Sequence, residues 1–210
     1  MVRWHLLRCL LSHWLNIETR HSIHSPFFSE LYKNVVSAEN QSVLVTLFQK
    51  SDVYNLRICN RVIEYLKVRS ILIVGNEFPD RLHVSAVHDL KIVHYTADDL
   101  LNLKEIISAT VNSNNYSLDS STQHEVFDVM LWEFETGEIF DKNFLSNLIG
   151  LPGAPKVMIF LNIYQRKSST TCWNKLKESY PVFASVDLFH CGILFLGKNQ
   201  VCQHFLVQTE

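Results

Sequence analysis

The chain has 210 residues, of which 47% are hydrophobic and 19% are charged, and its formal net charge is −2. A chain of this length and composition can build an apolar core without disulfides or a metal, which argues against a disordered protein. So weak a net charge gives no electrostatic reason to expect nucleic acid or an anionic membrane as a partner, although it leaves a local basic patch open.

The cysteines, the histidines and the apolar segments of the sequence indicate the cellular compartment and the kinds of site to expect. The five cysteines form no C-x-x-C pair, so we predict buried, reduced thiols rather than disulfides or zinc ligands. The ten histidines lack the supporting Cys, Asp or Glu spacing of a metal site. The apolar stretch at residues 1–15 has no small-residue cleavage site, and no segment reaches the ~20 apolar residues of a membrane span. The sequence therefore predicts a soluble, cytoplasmic protein with no metal and no membrane span.

The first predicted helix, over residues 3–17, is amphipathic. Its apolar stripe consists of Trp4, Leu7, Leu11, Trp14 and Leu15. Such a stripe packs on its own domain or on a second subunit, so a homodimer through this helix is one hypothesis and a membrane-surface helix is an alternative. Pro26 then biases the residue before it away from helix, and further helices are predicted over residues 28–36 and 56–68.

The middle of the chain alternates apolar runs with helical patterns. The runs are residues 70–75, 91–95, 126–132 and 156–161, and the helices are residues 97–108, 141–149 and 169–179. Short, apolar, β-branched runs are typical of buried parallel strands. Strand-like residues 182–189, 192–197 and 201–207 follow with short links, which is typical of antiparallel hairpins. The predicted fold is an α/β, Rossmann-like doubly wound sheet with antiparallel C-terminal strands, which binds ligands at the carboxyl ends of its parallel strands.

Short motifs near the two ends of the chain occur together. They are His24-Ser25-Pro26-Phe27, Cys172-Trp173, Val186-Asp187-Leu188-Phe189, Gly192-Ile193-Leu194-Phe195 and Gln203-His204-Phe205. In this order they resemble the motifs His-Ser-Pro-Phe, Ala-Trp, Ile-Asp-Leu-Phe, Gly-Ile-Val-Phe and Gln-His-Phe of a group of bacterial class I S-adenosylmethionine-dependent methyltransferases. The resemblance implies a methyltransferase-type sheet over residues 56–210, closed by an antiparallel terminal hairpin. Residues 1–55 would then form an N-terminal helical segment packed on that core.

The middle of the chain departs from this family where the cofactor is bound. The family's first strand ends in an acid followed by Gly-Thr-Ser-Leu-Gly, whereas this chain has Ile73 in place of the acid and Pro79 in place of the second glycine. The acid that ends the family's second strand is absent here until Asp98. After the third and fourth strands the family has Asp-Gly-Asn-His and Asp-Asp-Ile-Tyr, and this chain has Glu133-Phe134-Glu135-Thr136 and Leu161-Asn162-Ile163-Tyr164. The lost acids remove an obvious catalytic base, and we assign no catalytic residue.

The resemblance still implies a cofactor site and a substrate side. The cofactor-binding candidates for S-adenosylmethionine are Gly75, Asn76, Glu77, Tyr95 and Asp98, and the substrate-side candidates are Glu133, Asn162 and His24. Structural alternatives stay open for them. Gly75 also suits a turn after a buried strand, and Glu77 and Asp98 also suit solvated loops. Glu133 also suits a helix start, and His24 also suits an anchor that hydrogen-bonds to backbone.

Two hypotheses about function follow. The first is a pseudo-methyltransferase with weak or lost cofactor binding, which serves as a scaffold or as the partner of another protein. The alternative is an active methyltransferase that acts on an unknown small molecule or macromolecule. Methyl transfer to a good nucleophile can rest on proximity and orientation, which lower a barrier by about 7–11 kcal/mol without an acid or a base.

Overall fold

The computed structural model describes residues 8–9, 11–12, 26–36, 51–75, 90–95, 127–134, 155–179, 182–197 and 203–207. Residues 8–9 and 11–12 are helical. The further helices are α1 (Pro26–Leu31), which continues as a π-helical turn (Tyr32–Val36), α2 (Ser51–Leu66) and α3 (Lys167–Lys177). The strands are β1 (Ser70–Val74), β2 (Lys91–Tyr95), β3 (Val129–Glu133), β4 (Val157–Leu161), β5 (Val182–Asp187), β6 (Cys191–Leu196) and β7 (Gln203–Leu206).

The strands form one mixed sheet of seven strands in the order β2-β1-β3-β4-β6-β5-β7. The pairs β1–β2, β1–β3, β3–β4 and β5–β7 are parallel, and β6 runs antiparallel to both β4 and β5. The α/β architecture predicted from the sequence is therefore confirmed. All strands except β6 end at the same edge, which we call the carboxyl edge.

The last strand differs from the prediction of antiparallel hairpins. β5 and β6 do form such a pair, but β7 lies beside β5 and parallel to it, with Ala184 opposite Gln203. The reason is that β6 is inserted between β4 and β5, so both of its hydrogen-bonding edges are occupied. β7 therefore pairs with the other edge of β5.

Strand β2 was predicted to be buried on both faces, and this is wrong. Lys91 and Ile92 are exposed, and 42% of the surface of Ile92 is accessible. Within the described part of the chain β2 is the outermost strand and pairs with β1 alone. An outer strand is covered by fewer neighbours, so apolar character does not guarantee its burial.

The strands direct alternate side chains into two apolar layers. On β1, Ile71 and Ile73 enter one layer, and Leu72 and Val74 enter the other. Helices α1 and α2 and the π-helical turn cover the first layer. Helix α3 covers the second layer with Cys172, Trp173 and Leu176. Helices thus lie on both faces of the sheet, which explains why β4 is apolar along its whole length and why β1 and β3 carry a polar residue only at one end.

Two element boundaries differ from the predictions. Helix α2 begins at Ser51 rather than residue 56, so it crosses the predicted limit between the N-terminal segment and the main domain, and that division stays a prediction. Strand β3 begins at Val129 rather than residue 126. The reason is a bend at Asp128, where Oδ2 accepts hydrogen bonds from the backbone N–H groups of Arg69 and Ser70 at 2.8 and 3.1 Å.

The N-terminal segment contacts the core through an aromatic pair. The Phe28 ring of α1 stacks on Phe205 of β7 with a centroid separation of 3.8 Å and an interplanar angle of 7°. Among the described helices none is long and apolar enough to cross a membrane. The predicted helices over residues 97–108 and 141–149 lie outside the described residues.

The described cysteines are free thiols. Cys59, Cys172 and Cys191 are buried, as predicted, and Cys9 is half-buried. Desolvation raises the pKa of Cys172 to about 11, so this thiol stays protonated and unreactive near neutral pH. Cys202 lies outside the described residues.

Candidate functional site

Gly75 and Glu133 meet at the carboxyl edge because β1 and β3 are neighbours, with Val74 opposite Trp132. Gly75 has φ +155°, a backbone conformation that other residues rarely adopt. A Cβ atom at this position would lie 2.9 Å from Cβ and 3.0 Å from Oε2 of Glu133. The Glu133 side chain therefore packs directly on the face of Gly75 that the absent side chain leaves open, and its Oε2 atom is buried.

His94 approaches the same glycine from the other side. It lies on β2 opposite Ile73, and its Nε2 is 2.6 Å from the Gly75 carbonyl oxygen. A carbonyl oxygen only accepts hydrogen bonds, so Nε2 carries the proton and donates it. We call the group formed by Gly75, His94 and Glu133 the Gly75 edge. It spans the carboxyl ends of β2, β1 and β3.

Asn162 forms a tight turn after β4. Its φ is +60°, in the left-handed region that Asn tolerates better than most residues. Its backbone N–H donates to the His190 carbonyl at 2.8 Å, and its own carbonyl accepts from Gln165 N–H at 3.1 Å. The predicted substrate-side residue thus joins the end of β4 to the loop between β5 and β6 and leads into α3.

The remaining predicted site residues divide into two groups. The backbone of Tyr95 pairs with Val74 at the end of β2. Residues Asn76, Glu77, Asp98 and His24 lie outside the described residues, as do Phe78 and Pro79. Of the predicted site residues, the structure brings together Gly75 and Glu133. It adds His94, which the sequence analysis did not select, because its role depends on the register between β1 and β2.

A buried carboxylate lies further along the carboxyl edge. Asp187 ends β5 and has only 1% of its surface exposed. Its Oδ2 accepts hydrogen bonds from the Tyr164 hydroxyl at 2.6 Å and from the Trp173 indole N–H at 2.8 Å, and its Oδ1 accepts from Phe189 N–H at 3.1 Å. Lys177 Nζ lies 3.9 Å from Oδ2. Three hydrogen-bond donors and one nearby ammonium group therefore offset much of the cost of burying this charge.

The Asp187 cluster also fixes the protonation of Tyr164. Burial and the negative charge of Asp187 both raise the pKa of Tyr164 well above its ordinary range. The phenol therefore stays protonated and donates its hydrogen bond at all physiological pH values. Trp173 and Asp187 belong to two different motifs of the sequence. The fixed order of these motifs was the only sequence feature that could have indicated a contact between the two residues.

Comparisons with known proteins leave the family open. Neither a family model, nor a curated protein, nor a solved structure matches this chain. Within the described ranges, no group of three or more His, Cys, Asp or Glu side chains is placed to hold a metal ion.

Proposed function

We propose that this chain is a divergent methyltransferase-fold protein that has lost methyl transfer and acts as a scaffold or as the partner of another molecule. The observation that carries the proposal is the packing of Glu133 on Gly75, with 2.9 Å from an ideal Cβ to Glu133 Cβ. In a sheet of this type the glycine after the first strand lets a cofactor approach the backbone. Here Glu133 lies against that glycine, and we infer that its side chain occupies the space the cofactor would need.

Contacts between the motif residues support the methyltransferase type of fold. A Cβ atom on Gly192 would lie 2.4 Å from Cη2 of Trp173, so only glycine leaves room for the indole ring. The same indole donates its N–H to Asp187. Phe28, which directly follows the first motif, stacks on Phe205 of the last. The motifs therefore contact one another in the core, which gives them a structural role that survives the loss of catalysis.

The placement of the antiparallel hairpin agrees with the same fold type. The resemblance implies a terminal hairpin that closes a parallel sheet, and β6 enters between β4 and β5 in the opposite direction. The strand order alone is compatible with an active enzyme as well as an inactive one. The side chains at the Gly75 edge support the inactive protein in this proposal.

The side chain at the end of the second strand disfavours the cofactor. The resemblance places an acid for the ribose hydroxyls at the end of the second strand. This chain has His94 there, and its Nε2–H is directed to the Gly75 carbonyl. That nitrogen cannot accept a hydrogen bond from a ribose hydroxyl.

Native mass spectrometry tests the proposal. The purified protein is incubated with S-adenosylmethionine or S-adenosylhomocysteine, and an active class I methyltransferase is treated in parallel to show that the complex survives transfer. We expect the mass of the protein alone. A stable one-to-one cofactor complex would overturn the proposal and favour the active methyltransferase, with Glu133 as its first residue to test by substitution to Gln.

A further inference from the structure

A cavity of about 450 Å³ opens between the N-terminal helical residues and α3. Arg8, Cys9 and Ser12 line one side of it, and Tyr164 and Leu206 contribute at the carboxyl edge. Cavities of roughly 300–1,000 Å³ are the size that hold small molecules. This cavity lies on the outer face of α3 and does not include the residues of the Gly75 edge.

The side of the cavity formed by α3 is a polar stripe. Its members are spaced at i, i+3, i+4, i+7 and i+10 and are Lys167, Thr170, Thr171, Asn174 and Lys177. The opposite side of the helix is buried on the sheet and includes Cys172 and Trp173. Residues at such spacing lie on one face of a helix, so the stripe presents both lysines to the same space.

The charges around this space are of one sign. Arg8, Lys167 and Lys177 are cationic, and the described residues that line the cavity include no carboxylate. The buried carboxylate of Asp187 lies behind this wall, since its Oδ2 accepts a hydrogen bond from the Tyr164 hydroxyl and is 3.9 Å from Lys177 Nζ. Lys177 Nζ also lies 5.5 Å from the centroid of the Trp173 ring, so this ammonium group makes a cation–π contact with the core. Arg8 and Lys167 are both exposed and are therefore the cations most accessible to a ligand.

We propose that this cavity binds the phosphate group of a small, soluble phosphate monoester. The guanidinium of Arg8 and the ammonium of Lys167 suit a dianion, because charge-assisted hydrogen bonds to phosphate are stronger than neutral ones. The Asn174 amide supplies a further donor. The hydroxyls of Thr170 and Thr171 donate to the backbone carbonyls of Arg166 and Lys167, so their protons are not directed at the anion. Cys9 and Leu206 give the organic part of the ester an apolar surface.

The choice of phosphate follows from the balance of charge. The whole chain is slightly acidic, with a net charge of −2, yet the described wall of this cavity carries three cations. Lys177 already has Asp187 within 3.9 Å, which leaves Arg8 and Lys167 as two cationic side chains on the same cavity. A dianionic phosphate matches these two charges, whereas a ligand with a single negative charge balances only one of them.

Calorimetric titration at low ionic strength tests the proposal, with glycerol 3-phosphate and inorganic phosphate as probes and glycerol as the uncharged comparison. We expect both phosphates to bind and glycerol to give no heat. Lys167→Gln and Arg8→Gln should each weaken binding roughly tenfold or more, because each removes a charged contact. Lys156→Gln is the matched control, since this exposed lysine precedes β4 at the opposite edge of the sheet and should leave affinity unchanged. Far-ultraviolet circular dichroism checks that each variant is folded.

A second arm distinguishes a soluble ligand from a lipid headgroup. The protein is mixed with phosphatidylcholine vesicles that contain phosphatidic acid and is then sedimented. The site would be established if the protein binds the soluble probes, if Lys167→Gln and Arg8→Gln both lose that binding, and if the binding weakens as the salt concentration rises. Absence of binding to soluble phosphate, equal loss in the Lys156→Gln control, or binding to vesicles alone would overturn it. Neither result depends on whether the Gly75 edge accepts a cofactor.

Discussion

The indole N–H of Trp173 donates a hydrogen bond of 2.8 Å to Oδ2 of Asp187, which is 1% exposed. The Tyr164 hydroxyl donates to the same oxygen at 2.6 Å. The Trp173–Asp187 hydrogen bond joins α3 to the end of β5 across the second apolar layer. Because a buried charge is tolerated only when its donors are in place, these contacts specify how α3 lies on the sheet.

Replacing Asp187 should reveal the cost of leaving its donors without an acceptor. Asp187→Ala leaves the Trp173 indole and the Tyr164 hydroxyl buried without their acceptor, at about 1–3 kcal/mol for each. Asp187→Asn keeps a side-chain oxygen and should lose clearly less of the free energy of unfolding. Urea unfolding followed by tryptophan fluorescence measures both. Equal stabilities for the two variants would mean that the hydrogen bonds contribute little.

A methyl group at Gly192 should disturb the indole ring. Its Cβ would lie 2.4 Å from Trp173 Cη2, so Gly192→Ala must displace a buried ring and should lower the free energy of unfolding by about 1–3 kcal/mol. Gly197→Ala is the matched control in the segment that follows the same strand. Its Cβ would lie 3.0 Å from Cδ1 of the half-buried Phe183, which has more freedom to move. A control that is destabilised as strongly as Gly192→Ala would contradict the packing described for Trp173.

The stacked pair of Phe28 and Phe205 should show energetic coupling. Aromatic pairs in contact contribute about 0.5–1.5 kcal/mol beyond the area they bury. A double-mutant cycle with Phe28→Leu and Phe205→Leu, measured by urea unfolding, isolates that energy. Strictly additive losses would show that the N-terminal segment does not depend on this contact.

His204 should make stability depend on pH. Desolvation, reinforced by the charge of Lys177 and opposed by Glu178, lowers the pKa of His204 below its ordinary value of 6.5. The unfolded chain therefore binds the proton at a higher pH than the folded one. The contribution of His204 to stability is present above the unfolded pKa and is lost as the pH falls through the folded pKa.

The variant His204→Gln isolates this effect, since Gln can still hydrogen-bond to Ser185, which lies 2.7 Å from Nδ1 of His204. Between about pH 8 and pH 5 the variant should lose less stability than the parent protein. The measurement is urea unfolding at a series of pH values. Identical slopes for the two proteins would show that another group is responsible.

The sheet was largely predictable, and the contacts of its edge were not. β1 and β4 are short apolar runs bounded by polar or turn residues, so their positions followed from local pattern. The neighbour of β7 depends on the insertion of β6, which is a property of the whole sheet. The position of Glu133 also depends on the whole sheet. From the sequence, Glu133 suited either an acid at the start of a helix or a residue on the substrate side. Its place on Gly75 follows from the register between β1 and β3.

The candidate phosphate cavity could not be predicted from the sequence, because it too depends on a contact between distant segments. A polar stripe on α3 was readable from the spacing of Lys167, Asn174 and Lys177, but polar stripes usually face water. Only the position of Arg8 from a distant segment shows that this stripe lines a cavity. The net charge of −2 did not exclude a local basic patch, but it gave no position for one.

Calorimetric titration of the purified protein with S-adenosylhomocysteine is the most direct test of the proposal that Glu133 closes the Gly75 edge to the cofactor. With the Glu133 side chain packed on Gly75, no heat of binding is expected up to about millimolar ligand, where affinity is worth only about 4 kcal/mol. Far-ultraviolet circular dichroism of the same sample checks that the protein is folded. A dissociation constant near 1 μM, worth about 8 kcal/mol, would contradict a closed edge and require a cofactor site at these residues.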